Sequence, residues 1–383
     1  MSINQYFDTD PKISGIHKKT IKYKNGEYQL YTMDDNLSEY PEFGAYRSAI
    51  VSNGKLVCLA PTKSLSRGSF QPYVNTTLSG NDGNSYLTQI VEGTMINLFW
   101  DEANNSWEIA SRRNIGCNCW YFKRTDGGKP MTFREMFFEA LGITSLENLE
   151  DNVGLEFFNK SCCYSFVLQH PENHLVMKIN KPAAYLTYIY RITHEDGKSF
   201  FRHLRTDRRF GIGRIMYPED EESLSAASAA GPVNLSSFVG TMMINEETGA
   251  RWTLYNDVYL EYKALRGNNP SLYYQYLTLR KIHKVADFLT HFPQYADEFQ
   301  RFTEHFGKYK ARIHQLYMDV HVLKTRKLSE VPSGRDKYFV EKLHYEVYLP
   351  GLKAEGKGFR VTRNRVEEFL DSENIVVPFG TNT

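Results

Sequence analysis

The chain has 383 residues, of which 41% are hydrophobic and 24% charged, and its net charge is +1. That length supports two domains, or three, each with a core of its own. The near-neutral balance excludes a protein that holds polyanions by bulk charge, while leaving room for a local basic cleft.

Five cysteines, at positions 58, 117, 119, 162 and 163, match neither a disulfide framework nor a zinc knuckle, and read as reduced thiols. No apolar run has the character of a signal peptide or the length of a membrane span. The expectation is a soluble, cytoplasmic chain with no membrane partner. Tyr (26) and Phe (24) are abundant, so aromatic cores are expected.

Residues 1–20 are polar and aperiodic and read as an N-terminal arm. From 21 to 267 the pattern is β-rich. "TIKYKNGEYQLYTM" carries Asn25-Gly26 and "YRSAIVSNGKLVCLAP" carries Asn53-Gly54, both hairpin signals. "GTMINLFWDEANNSWEIASR" repeats the pattern around an Asn-rich turn, and the three hairpins together predict an antiparallel sheet. "TFREMFFEALGI" (132–143) predicts a short amphipathic helix with a capping box of Thr132 and Glu135. "CYSFVLQHPENHLVMKI" and "AAYLTYIYRI" return to strand, 219–237 reads as a loop, and "SFVGTMMINEETGARWTLY" is one more hairpin.

Beyond Tyr255 the period changes. Apolar residues at 272, 276, 279, 282, 285, 289 and 292 have helical spacing. A second stripe runs through Phe299, Phe302, Phe306, Tyr309, Ile313, Leu316, Val320 and Leu323. The predicted fold class is α+β: an antiparallel β-rich domain over 21–267, then a helical C-terminal domain over 268–383. The aromatic stripe reads as inter-helix packing.

The β-rich part resembles the phage-type RNA ligases of the covalent nucleotidyltransferase superfamily, through an ordered set of short segments between about 40 and 268. "YRSAIVSNGKLVCLAPTKSLS" matches the upstream element, with Arg47 at its arginine, Lys63 at its lysine and Ser48 in place of its glycine. "IVEG" (90–93), followed by "SRRNIG" (111–116), matches the lysine motif K-x-D/E-G and the strand after it, except that Ile90 stands at the lysine. "SFVLQHPENHLV" matches the third motif with Val167 at its glutamate, and "FVGTMMIN" matches the fourth with Val239 before Gly240. For the fifth, "YLEYKALRGN" offers Lys263 and Arg266, at a spacing that departs from K-x-K. "EGTMIN", "YSFVLQHP" and "LRGNNP" also resemble segments of uncharacterised proteins of large DNA viruses.

The resemblance implies a nucleotidyltransferase-like fold, and ATP with Mg²⁺ as cofactors if the chain is active. It also implies a degenerate site. The family's lysine attacks a phosphorus atom, and isoleucine has no lone pair to do so. The lost carboxylates would hold metal and ribose, and valines accept neither bond. Ile90, Val167 and Val239 are therefore expected to lie together around a filled-in nucleotide pocket, with no catalytic residue and no metal ligand. Arg47, Lys63, Glu92, Gly93, Arg112, Lys263 and Arg266 are the candidate nucleotide- and phosphate-binding residues, with Arg113 beside them.

Other candidates carry less. "RHLRTDRRFGIGR" (202–214) is a charged hairpin tip or a phosphate-contacting loop, without the setting of a dinucleotide fingerprint. Pro171 separates His170 from His174 and so speaks against a metal pair on one helix face. His314 and His321 read as packed or surface residues, and Cys162-Cys163 as a strand with one thiol buried. The leading function is an RNA-ligase-like pseudoenzyme binding nucleotide, RNA or a protein partner, including other viral proteins. The alternatives are an active ATP-dependent RNA ligase with a relocated lysine, Lys63 being nearest, and a structural virion component. For a viral chain, the expected place is the infected host cell or the virion.

Overall fold

Strand periodicity gives way to helical periodicity near residue 256, and the computed structural model follows that change. It describes residues 4–70, 85–122, 128–149, 158–173, 175–206, 214–220, 238–331 and 334–373. The class is α+β, with antiparallel sheets followed by helices. The chain divides into two units, Met1–Phe122 with Pro130–Lys263, and Lys123–Lys129 with Ala264–Thr383.

In the first unit the strands are β1 (Gln5–Phe7), β2 (Ile16–Tyr23), β3 (Gly26–Met33), β4 (Ala49–Ser52), β5 (Lys55–Leu59), β6 (Ser85–Gln89) and β7 (Thr94–Asp101). There follow β8 (Ser106–Ala110), β9 (Cys162–Gln169), β10 (Ala183–Glu195), β11 (Lys198–Leu204), β12 (Ile215–Met216), β13 (Gly240–Asn245) and β14 (Arg251–Tyr255). The three predicted hairpins form, but they do not share one sheet. β2-β3-β4-β5 make a four-stranded sheet, whereas β7-β8 close the edge of a larger one, ordered β1-β11-β10-β9-β7-β8. β12 pairs with β10 in parallel, and β14-β13-β6 form a third sheet.

Turn chemistry fixes the registers. Asn53 and Gly54 have φ of 50° and 75°, the mirror-image turn that matches strand twist. In the β2-β3 hairpin the loop falls one residue earlier than the Asn-Gly signal, on Lys24-Asn25, because Tyr23 pairs with Gly26. That register keeps Tyr28 fully buried; a one-residue slip would turn it outward. Residues 5–7 and 16–20, read from the sequence as part of an arm, lie in strands. Phe7 is 1% exposed and packs 4.9 Å from the ring of Tyr46, so a single aromatic anchor outweighs the polar composition around it.

The large sheet is covered on both faces, which explains the seven consecutive buried residues Cys162–Leu168. Tyr164, Phe166 and Leu168 meet the helix α1 (Phe133–Leu141), while Cys163 joins the core shared with the four-stranded sheet. Both Cys162 and Cys163 are thus buried, where the sequence suggested one. The expected capping box is present: Thr132 accepts from the Glu135 amide, and Glu135 accepts from the Thr132 amide. Glu108 has no exposed side-chain surface and pairs at 2.6 Å each with the more exposed Lys24 and Arg134, so a buried carboxylate ties β8 to the first hairpin.

The second unit follows the aromatic stripe with two departures. Helix α2 (Asp257–Arg266) runs across the division. Then come α3 (Leu272–Lys281), α4 (Val285–His291) and α5 (Ala296–Tyr317). Tyr273, Tyr276, Phe299, Phe302, Phe306 and Tyr309 are buried, the first four in ring contact with one another and Phe306 with Tyr309. The helical phase breaks at His283, which has φ of 55°, so Phe288 is buried and Ile282 is exposed. After Tyr317 a π-helical turn, Met318–Val322, rotates the stripe, and Leu323 is consequently 56% exposed. No helix among the described residues is long and apolar enough to cross a membrane.

Candidate phosphate-binding site

The loop between β6 and β7 carries Ile90-Val91-Glu92-Gly93, and hydrogen bonds place it firmly. The amide of Ile90 donates to the carbonyl of Gly240 (2.9 Å), and Gln169 Nε2 donates to the carbonyl of Glu92 (2.9 Å). Gly93 crosses β9 so closely that a Cβ there would stand 2.3 Å from the carbonyl oxygen of Leu168 and 2.7 Å from Val167 Cγ1. Ile90, Val167 and the Val239-Gly240 pair therefore come from neighbouring backbone segments. Val167 and Val239 are 8% and 4% exposed, and Ile90 packs on the core that holds Tyr188 and Met242. Gly240, with φ of 145°, lies where a Cβ would meet the Leu254 carbonyl at 2.2 Å.

Glu92 is 6% exposed. Its Oε1 accepts the amides of Leu175, Val176 and Met177 at 3.1, 2.8 and 3.1 Å. Burial, followed by the adjacent Glu92 carboxylate, pushes the Tyr259 hydroxyl far up. Glu92 thus clamps the 90–93 loop to the segment after β9. A carboxylate so engaged repels phosphate and attracts no ligand of its own charge.

The cations divide. Arg47 donates to the carbonyls of Pro61 and Thr62 at 3.1 and 3.3 Å. Ser48 Oγ donates to the carbonyl of Arg112 (3.0 Å), which brings the bend after β8 against the start of β4. Burial, then the charges of Arg251 and Arg112, bring the Arg47 guanidinium down to about 10. The Arg251 guanidinium lies 5.4 Å from the ring centroid of Tyr188 and donates to Met242 Sδ. Tyr188, raised to about 12 by burial and stacked on Tyr190 at 6.1 Å, floors this cluster.

The like charges of Arg251 and Arg112 both act on Arg47, the carboxylate of Asp35 opposes them, and among the described residues no carboxylate forms a close ion pair with any of the three arginines. The Nε atoms of Arg112 and Arg251 are buried without an acceptor. Burying unpaired guanidinium is unfavourable unless an anion completes it, and planar guanidinium matches phosphate oxygens in pairs.

The other predicted residues lie elsewhere. Lys63 Nζ donates to Ser38 Oγ (3.3 Å) and faces Asp35 (3.5 Å), at the edge of a cavity of about 290 Å³ lined also by Tyr40, Glu42 and Thr62. Lys263 Nζ lies over the rings of Tyr255 and Tyr259. Arg266 belongs to the second unit, 3% exposed, over Tyr295. Arg113 is exposed. His170 is satisfied by the Glu172 amide and by Glu139 (3.2 Å). His174, the arginine-rich 207–213 and the loop residues 221–237 lie outside the described residues.

Arg251 was missed from sequence. Two cations spaced i, i+2 share one face of a strand. β14 offers only one cation on such a face, Arg251, with Thr253 at the i+2 place, whereas 263 and 266 lie on a helix.

No protein-family model matches the chain. It is similar to the "Immediate-early protein ICP-46 homolog" of Invertebrate iridescent virus 6, 23% identical over 399 residues, covering 96% of this chain and 83% of the relative. Among solved structures it is similar to a putative ATP-dependent DNA ligase from Aquifex aeolicus (TM-score 0.37, 11% identity), covering 93% of this chain and 85% of that one. An archaeal ATP-dependent RNA ligase gives a TM-score of 0.34 at 10% identity, over 92% and 82% of the two chains. A Naegleria gruberi RNA ligase solved with ATP and Mn gives 0.30 at 12%, over 64% and 76%. TM-scores of this size establish no common fold, and the site rests on its own residues.

A divalent metal is the cofactor the ligase resemblance implies, and the residues do not fit one. Two of the motif positions that would supply carboxylates are valines, and the nearby Glu92 spends Oε1 on three amides. Among the described residues no group of three or more His, Cys, Asp or Glu is placed to hold a metal.

Proposed function

We propose that this chain binds a phosphate-bearing ligand, a nucleotide or an RNA end, in a cleft of nucleotidyltransferase type, without forming a lysyl-nucleotide. One observation carries the reading: the buried Arg47 guanidinium feels the like charges of Arg251 and Arg112, opposed by Asp35, in a chain whose nucleophile position is Ile90. A positively charged, partly desolvated group of this kind pays for its own repulsion only when an anion is bound. The amine of Lys63, the nearest candidate for a relocated nucleophile, is engaged by Ser38 and Asp35. The immediate-early name of the iridescent-virus relative favours a role at the start of infection over one in the particle.

Equilibrium binding of labelled ATP and of a 5′-phosphorylated RNA oligomer tests this, with wild type beside Arg112→Gln and Arg251→Gln. Wild type is expected to bind at least one of these ligands, and each variant to lose about tenfold or more in affinity. Equal binding by all three proteins, or none by wild type, overturns the reading.

A further inference from the structure

We infer that the second unit carries an acid-sensitive latch: His321 and His344, stacked across two π-helical turns, join its last helices when neutral and part when both are protonated. The first turn, Met318–Val322, continues α5. The second, Leu343–Tyr348, lies between the helices α6 (Gly334–Lys342) and α7 (Leu349–Glu355). π-helical turns are rare and occur mostly at functional sites, and here two of them meet through one imidazole each. The rings stack with centroids 4.1 Å apart and planes 11° apart. Tyr317 closes one side, 5.0 Å from His321, and Tyr348 the other, 5.2 Å from His344. Nε2 of His321 and Nδ1 of His344 are buried, with no hydrogen-bond partner among the described residues. Parallel rings hold their lone pairs in separate planes, so the two nitrogens do not converge on one metal ion.

One proton is tolerated, because an imidazolium gains from the faces of neutral rings and Glu341 of α6 acts on His321. A second proton sets two like charges 4.1 Å apart, where burial withholds the water that would screen them. Burial, then the neighbouring His344, hold His321 below its ordinary value, and burial lowers His344. Other charges on the packed elements have partners of their own. Asp319 accepts from Gln315, Lys342 pairs with Glu346 and Glu373, and Arg365 of α8 (Arg363–Ser372) pairs with Glu355 of α7. An imidazole freed to solvent takes a proton more readily than one in the stack. The latch is therefore complete above pH 6.5 and weakens as pH falls through the lowered folded values. Opening uncovers Tyr317, 2% exposed, beside the already exposed Val322 and Leu323.

Hydrogen exchange of the full-length protein tests the latch, read on peptides covering 318–323 and 343–348 and corrected for the intrinsic pH dependence of amide exchange. From about pH 7 to pH 5 the opening constant there is expected to rise by about tenfold or more, its limit being about tenfold per pH unit for each imidazole. Peptides across 299–306 in α5 should keep their protection. The double variant His321→Phe/His344→Phe keeps two stacked rings and carries no titrating group, so its protection should not change over the same range. If that variant does not fold, ring-proton NMR of the wild-type histidines decides. Both should titrate below 6.5, in two separated steps. Unchanged wild-type protection, an equal rise in the double variant, or titration of both rings at the ordinary value overturns the inference. An equal loss of protection across α5 also overturns it, since that is unfolding of the unit and not the release of a latch.

Discussion

Glu92 offers the sharpest stability test, because its role as a clamp is fixed by three hydrogen bonds into one oxygen. Glu92→Ala removes the acceptor and orphans the amides of Leu175, Val176 and Met177. An unsatisfied buried amide costs about 1–3 kcal/mol. Only the Val176 bond is fully buried, and the flanking two recover water in part, so the expected loss is ~2–4 kcal/mol. Glu92→Gln keeps a carbonyl oxygen for the same three donors and forfeits only the charge assistance, for about 1 kcal/mol. Urea unfolding of the three proteins reads the differences as midpoint shifts at constant slope. Amide exchange at Val176 should accelerate in Glu92→Ala and not in Glu92→Gln. An alanine variant within about 0.5 kcal/mol of wild type would show that the clamp is not holding the loop.

Three further outcomes are expected. Gly93→Ala drives a Cβ to within 2.3 Å of the Leu168 carbonyl, a backbone atom that cannot swing aside, so a loss of about 2 kcal/mol or more should appear in thermal unfolding. Burial holds His203 down to about 4 from 6.5, so the unfolded chain takes up a proton that the folded one refuses; stability is complete above pH 6.5 and falls by up to ~3 kcal/mol as pH drops toward 4. His203→Gln should flatten that part of the pH–stability curve, and an unchanged slope would refute the assignment. Ile90→Lys is expected to form no nucleotide adduct on a denaturing gel, because Val167 and Val239 still supply neither metal nor ribose contacts. Adduct formation by this single variant would contradict the proposed loss of the catalytic unit.

Local chemistry was legible where one residue type dictates one geometry. Asn53-Gly54 turned the second hairpin, and Thr132 with Glu135 capped the helix as read. What escaped depended on partners distant in sequence. Phe7 makes a strand of a polar stretch only because Tyr31 and Tyr46 receive it. Hairpins of equal appearance went to different sheets, since turn residues fix pairing within a hairpin and say nothing about its neighbours. The helical stripe lost phase at His283 and again after Tyr317, where a local backbone change rotates every later side chain. The site shows the same limit. Arg47 and Arg112 were readable as cations, but Arg251 joins them only through the pairing of β14 with β13.

The central claim, phosphate binding without covalent transfer, is tested most directly by incubating the wild-type chain with α-labelled ATP. The samples, with and without divalent metal, are divided between a native filter and a denaturing gel. Label retained on the filter and absent from the gel is the expected result. Label that survives denaturation at the position of the protein would contradict it, and would return the chain to the active nucleotidyltransferases.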